Sequence, residues 1–145
     1  MEYIVKELMK KDLEYLDSFF VTLSNLTDAP KQTREKTENL LMGINEQGSK
    51  IFIAITTEGE IIGALTLMVE QKMIRGGAKA GHIEDVVTRE GFEGNGIGKA
   101  LMNTAIEEAK NCGCYKIILD CDNELTGYYK KFGFKTDGAF MRMYL

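Results

Sequence analysis

The sequence predicts a mixed α/β fold: a twisted, mostly antiparallel sheet with flanking helices and a central parallel βαβ unit. Apolar residues follow a helical period in the first third of the chain and an extended period in the middle. A strand, a glycine-rich loop, a helix and a second apolar strand then follow in that order, and such a crossover joins parallel strands. The length of 145 residues, with no internal repeat, fits one domain over residues 1–145.

The first third of the chain predicts one strand and two helices. Residues 3–7 alternate as a short strand, and residues 11–26 place leucine and phenylalanine at helical spacing. Pro30 ends this helix, because a proline disfavours the helical conformation of the residue before it. Residues 33–45 repeat the helical spacing and predict the second helix.

The middle of the chain is rich in β-branched residues. Residues 51–56 and 60–69 predict two strands, and Thr-Glu-Gly at 57–59 is a hairpin signal, so these strands should be antiparallel. Residues 72–79 contain Gly-Gly and predict a loop, and residues 81–88 predict the next strand.

The crossover unit occupies the following segment. Residues 89–98 form a glycine-rich loop, and residues 99–111 carry alanine, leucine, isoleucine and methionine on one helical face. Residues 116–121 include the run Ile-Ile-Leu, which predicts a fully buried strand parallel to the strand at 81–88.

The end of the chain predicts a short helix and two short strands. Residues 124–132 form the helix, and Asn123 is its expected N-cap because asparagine side chains accept hydrogen bonds from the first helical amides. Residues 134–135 and 139–144 have β character and are expected to end the chain as short strands.

The composition narrows the class of partner. With 22 acidic and 18 basic residues the net charge is −4, which disfavours a nucleic-acid surface. No apolar run approaches the roughly 20 residues of a membrane span, and residues 1–11 lack a signal-peptide core, so no membrane partner is expected. The odd count of three cysteines predicts a reducing, cytoplasmic setting. Cys-Gly-Cys at 112–114 has no second pair, and we expect no metal.

The sequence Glu-Gly-Asn-Gly-Ile-Gly-Lys at residues 93–99 follows a strand and opens a helix. Glycines let backbone amides approach a ligand closely, and a helix N-terminus favours a phosphate. The order of residues is not that of a Walker A loop, and the spacing is not that of a dinucleotide fingerprint. It fits the acyl-CoA pyrophosphate pattern [Q/R]-x-x-G-x-[G/A]. The glycine spacing alone leaves an anion site and a plain tight turn equally open.

Four segments resemble a known family. They are Gly-His-Ile-Glu-Asp-Val-Val at 81–87, the loop at 94–99, Gly-Cys-Tyr-Lys-Ile-Ile-Leu-Asp-Cys-Asp at 113–122, and Tyr-Tyr-Lys-Lys-Phe-Gly-Phe at 128–134. Together they resemble the GNAT superfamily and, within it, the glucosamine-6-phosphate N-acetyltransferases. The resemblance implies acetyl-CoA as cosubstrate, acetyl transfer to the amine of glucosamine 6-phosphate, and a homodimer with sites near its interface.

The resemblance also implies roles for individual residues. Tyr129 would protonate the departing thiolate, and the backbone carbonyl of Asp120 would orient the amine. The acyl donor would pair through its pantetheine arm with the backbone of Val86 and Val87. The residues expected at its diphosphate are Gly94, Asn95, Gly96, Ile97, Gly98 and Lys99. The residues expected at the sugar phosphate are Thr27, Glu84, Asp85 and Lys116.

Three positions depart from the family pattern. Glu93 replaces the usual glutamine or arginine that opens the loop, Leu125 replaces an asparagine, and Tyr144 replaces an arginine, with Arg142 two residues away. These departures keep two alternatives open: a GNAT enzyme for another small amine or a peptide N-terminus, and a non-catalytic acyl-CoA-binding module. Tyr129 as a core aromatic and Lys116 as a surface lysine also remain open.

Overall fold

A computed structural model describes all of residues 1–145. Its strands are β1 (Tyr3–Glu7), β2 (Ser49–Thr56), β3 (Ile61–Gln71), β4 (Lys79–Thr88) and β5 (Cys114–Ile118). Its helices are α1 (Leu16–Ser24), α2 (Arg34–Glu46), the single turn α3 (Ile74–Gly77), α4 (Ile97–Asn111) and α5 (Thr126–Lys130), with 3₁₀ turns at Lys10–Tyr15 and Asn123–Leu125. None of the helices combines the length and the apolarity that crossing a bilayer requires.

The five strands form one sheet in the order β1-β2-β3-β4-β5. The first four are antiparallel, and β4 and β5, which α4 connects, are parallel. The predicted mixed sheet with its parallel βαβ unit is therefore confirmed.

The sheet is buried on both faces. On one face α4 packs through Leu101, Met102 and Ala105, and Tyr129 of α5 joins the same apolar cluster. On the other face α1 and α2 contribute Phe19 and Leu41 to a second cluster. Burial of apolar side chains on both faces supplies the main stabilising term of the fold.

The predicted first helix, residues 11–26, is in part a 3₁₀ turn. Lys10–Tyr15 is 3₁₀, and the α-helical geometry begins only at Leu16. The cause is the buried carboxylate of Asp12, which accepts hydrogen bonds from the Met9 amide at 2.8 Å and from Lys6 Nζ at 2.7 Å. These bonds connect the turn to β1. They are side-chain contacts, so the helical spacing of apolar residues does not predict them.

The predictions for the last third need four corrections. The strand expected over 116–121 ends at Ile118 and begins at Cys114, and it is not fully buried, because β5 is an edge strand with Tyr115 39% and Ile118 41% exposed. Asn123 is not an N-cap, since it lies inside a 3₁₀ turn. The helix expected over 124–132 is limited to α5 (Thr126–Lys130). The strands expected at 134–135 and 139–144 do not form, because no neighbouring strand of the same chain is available to pair with them.

Gly63 of β3 sets the approach of α4 to the sheet. A Cβ at this position would lie 2.6 Å from Cγ2 of Ile97, 3.0 Å from Cδ1 of Leu101 and 3.3 Å from the Val87 carbonyl oxygen. We expect Gly63→Ala to lower the free energy of unfolding by about 1–3 kcal/mol, as overpacking of a core does. The measurement is denaturant unfolding followed by circular dichroism.

Gly81 of β4 offers the matched control. A Cβ there would lie at least 3.4 Å from its nearest neighbours, which is ordinary contact. Gly81→Ala should therefore be neutral or slightly stabilising, because alanine restricts the unfolded chain. Equal destabilisation by the two substitutions would show that α4 does not depend on the missing side chain at Gly63.

Candidate active site

The parallel strands β4 and β5 separate halfway along their length. Their backbone pairing runs from Lys79 opposite Cys114 to His82 opposite Ile118 and stops there. Strand β4 continues to Thr88, and its antiparallel pairing with β3 continues as well. The β4 backbone beyond His82 therefore has no strand partner on the β5 side, which leaves peptide groups free for an extended ligand.

A β-bulge lies in this unpaired part of β4. Thr66 of β3 pairs with Glu84 and Ala64 pairs with Val87, so one residue of β3 faces two residues of β4. Asp85 in the bulge has φ of 53°, a left-handed conformation that is uncommon outside glycine. Val86 consequently packs against the α4-side cluster, whereas Val87 is buried in the cluster on the α1 and α2 side.

The glycine loop after β4 delivers the start of α4 to the opening between the strands. Gly94 and Gly96 adopt φ of 78° and 76°, and Gly96 is the N-cap of α4. The first helical hydrogen bond runs from the Ala100 amide to the Gly96 carbonyl at 2.9 Å. The amides of the first turn, Ile97 to Lys99, lie ahead of that bond and have no acceptor within the helix. This is the geometry that favours a bound phosphate.

Side-chain hydrogen bonds hold the loop in place. The Tyr3 hydroxyl, on β1, donates to the Asn95 carbonyl at 3.2 Å, and Asn95 Nδ2 donates to the Phe92 carbonyl at 3.0 Å. Glu93 turns back on its own loop and accepts a hydrogen bond from the Gly91 amide at 2.8 Å. Glu93, which replaces the glutamine or arginine of the family pattern, therefore stabilises the loop through this hydrogen bond.

Tyr129 of α5 lies beside the opening and is 9% exposed. Its ring packs edge-on against Tyr128 at 5.1 Å and Phe134 at 6.3 Å between centroids. Burial raises the pKa of the Tyr129 hydroxyl, and Tyr128, Cys121 and Asp120 add to the rise. The phenol is therefore protonated at neutral pH, and these neighbours place it beside the segment that follows β5.

Three carboxylate residues lie near the point where β4 and β5 separate: Glu84 and Asp85 in β4, and Asp120 just after β5. The pKa of Glu84 is raised, first by burial and then by the charges of Asp120 and Asp85. Asp120, two residues after the end of β5, is close enough to both Glu84 and Tyr129 for its charge to raise the pKa of each. The structure thus brings together Glu84, Asp85, Asp120 and Tyr129 of the residues expected from the sequence.

Two expected substrate residues lie apart from this group. Thr27 is exposed just after α1, on a segment that contacts the end of β4 through Asn25 Oδ1, which accepts from the Glu90 amide at 3.0 Å. Lys116 pairs in register with Ala80, four residues from Glu84, which is roughly 13 Å of strand. Lys116 is exposed on the edge strand, where its ammonium lies over the Tyr115 ring, 5.4 Å from the ring centroid.

A groove of about 630 Å³ lies between α4 and α5, next to the loop. Its apolar floor is Ile106 and Phe132, and its polar lining includes Lys99, Tyr128 and Lys131. Neither Tyr128 nor Tyr3 is among the site residues predicted from the sequence. The adjacent tyrosine motif is a signal for Tyr128, but nothing near Tyr3 indicates its bond to a loop 92 residues away.

Comparison with known proteins agrees with this architecture. Residues 5–134 match the acetyltransferase (GNAT) family model. A probable glucosamine 6-phosphate N-acetyltransferase 2 of Oryza sativa is 37% identical over 87% of this chain and 79% of the relative. A glucosamine 6-phosphate N-acetyltransferase of Trypanosoma brucei is 37% identical over 88% of each chain. The crystal structure of glucosamine-6-phosphate N-acetyltransferase from Arabidopsis thaliana superposes with a TM-score of 0.92 over 99% of each chain, at 30% identity. The chain belongs to the GNAT acetyltransferase family.

Proposed function

We propose that this chain is an acetyl-CoA-dependent N-acetyltransferase that acetylates the amine of D-glucosamine 6-phosphate, giving N-acetyl-D-glucosamine 6-phosphate and CoA. The observation that carries the proposal is the meeting of the α4 N-terminus, the unpaired half of β4 and the buried Tyr129 phenol at one opening. Three relatives that carry this activity in their names support the choice of substrate.

The residues at the opening fit an acyl-CoA. The diphosphate would lie on the backbone of Gly94, Asn95, Gly96, Ile97, Gly98 and Lys99, where a Cβ at Gly98 would collide with the Tyr128 hydroxyl at 2.8 Å. On the side that faces away from β3, the backbone of Val86 and Val87 has no strand partner and would pair with the pantetheine arm. Acetyl-CoA would supply an activated acetyl thioester, so alignment and charge stabilisation can carry most of the rate acceleration.

The chain's own groups then have complementary tasks. The neutral amine attacks the thioester carbonyl as the carbon–sulfur bond breaks, and Tyr129 gives its proton to the departing sulfur. The nitrogen loses one proton to solvent as the amide forms, and the Tyr129 phenolate regains one from solvent, so the phenol is restored. The pKa of Tyr129 is raised by burial, so the phenol is present as the acid across the neutral range. The Asp120 carbonyl orients the amine, and the carboxylates of Glu84 and Asp85 accept hydrogen bonds from the sugar.

A direct assay tests the proposal. Free thiol release from acetyl-CoA should require D-glucosamine 6-phosphate and should be slower with glucosamine, which lacks the phosphate. Absence of release at millimolar sugar phosphate, with folded protein, would contradict it. The alternative of a different acceptor amine is favoured by Tyr144, which stands where the family has an arginine. Thiol release with a panel of other amines tests that alternative. Arg142 still places a cation on this segment, because its guanidinium carbon lies 5.5 Å from the centroid of the Tyr144 ring.

We also propose that the protein is one GNAT domain that works as a homodimer. The C-terminal residues 134–145 leave the sheet without forming a strand, and Phe140, Met141, Met143 and Tyr144 are 61–89% exposed. β5 is an edge strand, a template for added chain. A second copy would cover both surfaces and would bring its own Lys116 to the phosphate of a sugar bound at the first copy.

We further propose a cytoplasmic location, which the three free cysteines support because the cytoplasm is reducing.

Removing residues 137–145 should abolish this assembly. Light scattering on a sizing column should give twice the chain mass of 16.3 kDa for the intact protein and the single mass for the shortened one. Circular dichroism controls for folding, since the removed residues contribute no strand or helix. A monomeric intact chain, or a dimeric shortened one, would contradict the arrangement.

A further inference from the structure

The Tyr128 hydroxyl lies at the start of α4. A Cβ built on Gly98 would be 2.8 Å from the Tyr128 hydroxyl oxygen and 3.9 Å from the Thr88 hydroxyl oxygen. The phenol of one helix therefore reaches the backbone of the first turn of another, beside the end of β4. No protein group forms a hydrogen bond with the Tyr128 hydroxyl in the structure. Every fully buried polar side-chain atom of the chain has a partner, so this unpartnered hydroxyl is not fully buried and is accessible to a ligand.

The ring that carries this hydroxyl is held on two sides. Tyr129 packs edge-on at 5.1 Å and Phe132 edge-on at 5.4 Å between ring centroids. Aromatic pairs in this geometry fix the orientation of both rings. Burial raises the pKa of Tyr128, so the hydroxyl is protonated and acts as a donor at neutral pH.

The surroundings of the hydroxyl suit an anion. Three lysines, Lys99, Lys110 and Lys131, and one carboxylate, Glu107, line the groove between α4 and α5 together with Tyr128. Glu107 is paired with Lys110 at 3.1 Å, whereas Lys99 and Lys131 form no ion pair within the chain. The first-turn amides of α4 have no acceptor within the helix. A tyrosine hydroxyl adds a neutral donor whose hydrogen bond becomes shorter and stronger when the acceptor is ionised.

We propose that Tyr128 is a donor-binding residue whose hydroxyl hydrogen bonds to the diphosphate of the acyl-CoA held at the start of α4. This inference rests on the proposed function and deepens it. The two adjacent tyrosines have different roles: Tyr129 acts at the sulfur of the thioester, and Tyr128, whose hydroxyl lies beside Gly98, acts at the phosphates. Tyr128 thus selects for a donor that carries a diphosphate.

Tyr128→Phe keeps the ring packing and removes the hydroxyl. We expect the Kd of CoA, measured by calorimetry, to rise about tenfold, the effect of losing one hydrogen bond to a charged group, with kcat at saturating acetyl-CoA nearly unchanged. S-acetylpantetheine carries the same thioester without the diphosphate. Its kcat/KM should be the same for Tyr128→Phe and the intact protein, because the missing hydroxyl has no phosphate to contact.

Tyr15→Phe is the control, since Tyr15 packs on the opposite face of the sheet and should leave CoA affinity unchanged. Unchanged CoA affinity in Tyr128→Phe, or equal losses with acetyl-CoA and S-acetylpantetheine, would overturn the role of Tyr128 alone. If the intact protein bound no CoA, the proposed function would fall together with this inference.

Discussion

Tyr129→Phe is expected to lower kcat about 100-fold or more, the lower range for loss of a positioned acid, and to leave the Kd of CoA within about twofold. The ring stays buried against Tyr128 and Phe134. The packing is therefore conserved, and only the hydroxyl that supplies the proton is removed. Without that proton the sulfur must leave as an unprotonated thiolate. Thiol release at saturating acetyl-CoA measures kcat, and calorimetry with CoA measures binding.

The pH dependence sharpens this prediction. A sulfur that is protonated as it departs is a better leaving group than a bare thiolate. The deficit of Tyr129→Phe should therefore persist at every pH at which the phenol is neutral in the intact protein. Because burial raises the pKa of Tyr129 above its usual value, the intact enzyme should show no alkaline loss below pH of about 10 from this group. Equal kcat in the two proteins would identify Tyr129 as a core aromatic without a role as an acid.

The sheet could be predicted from the sequence because each strand and helix has a clear apolar period and most connections between neighbouring elements are short. The hairpin of β2 and β3, the crossover helix α4 and the parallel pairing of β5 all follow from apolar spacing and from short connections. The 3₁₀ turn at Lys10–Tyr15 did not follow, because a buried carboxylate, Asp12, and not the apolar spacing, sets its geometry.

The site was predictable in its residue types but not in its shape. The glycines and the tyrosine pair at 128–129 are visible in the sequence. The bulge at Asp85 is not visible, because strict alternation would place Glu84 and Asp85 on opposite faces, and only the register against β3 shows the extra residue. The bond from Tyr3 to Asn95 and the approach of Tyr128 to Gly98 are tertiary contacts that no local pattern encodes.

The second large effect is expected at Gly98. This residue lies in the first turn of α4 and has ordinary helical geometry, so a larger residue is compatible with the helix itself. A Cβ there would stand 2.8 Å from the Tyr128 hydroxyl oxygen, so the tyrosine ring or the first turn of α4 must shift to make room. The side chain of a valine would then occupy the space in front of the first-turn amides.

Gly98→Val should therefore lower kcat/KM for acetyl-CoA about 100-fold, because displacing a bound group by about 1 Å costs that much. The effect should appear as weaker CoA binding by calorimetry, in contrast to Tyr129→Phe. The thermal midpoint should change little, since valine suits a helix slightly better than glycine does.

Gly43 provides the matched substitution for this test. It lies on the exposed face of α2, and a Cβ there would meet nothing within 4 Å. Gly43→Val makes the same chemical change in a helix far from the opening and should leave CoA binding intact. Should Gly98→Val bind CoA as tightly as Gly43→Val does, the diphosphate would have to lie away from the start of α4. The geometry proposed for acetyl-CoA, with the diphosphate at the start of α4 and the thioester at Tyr129, would then be lost as well.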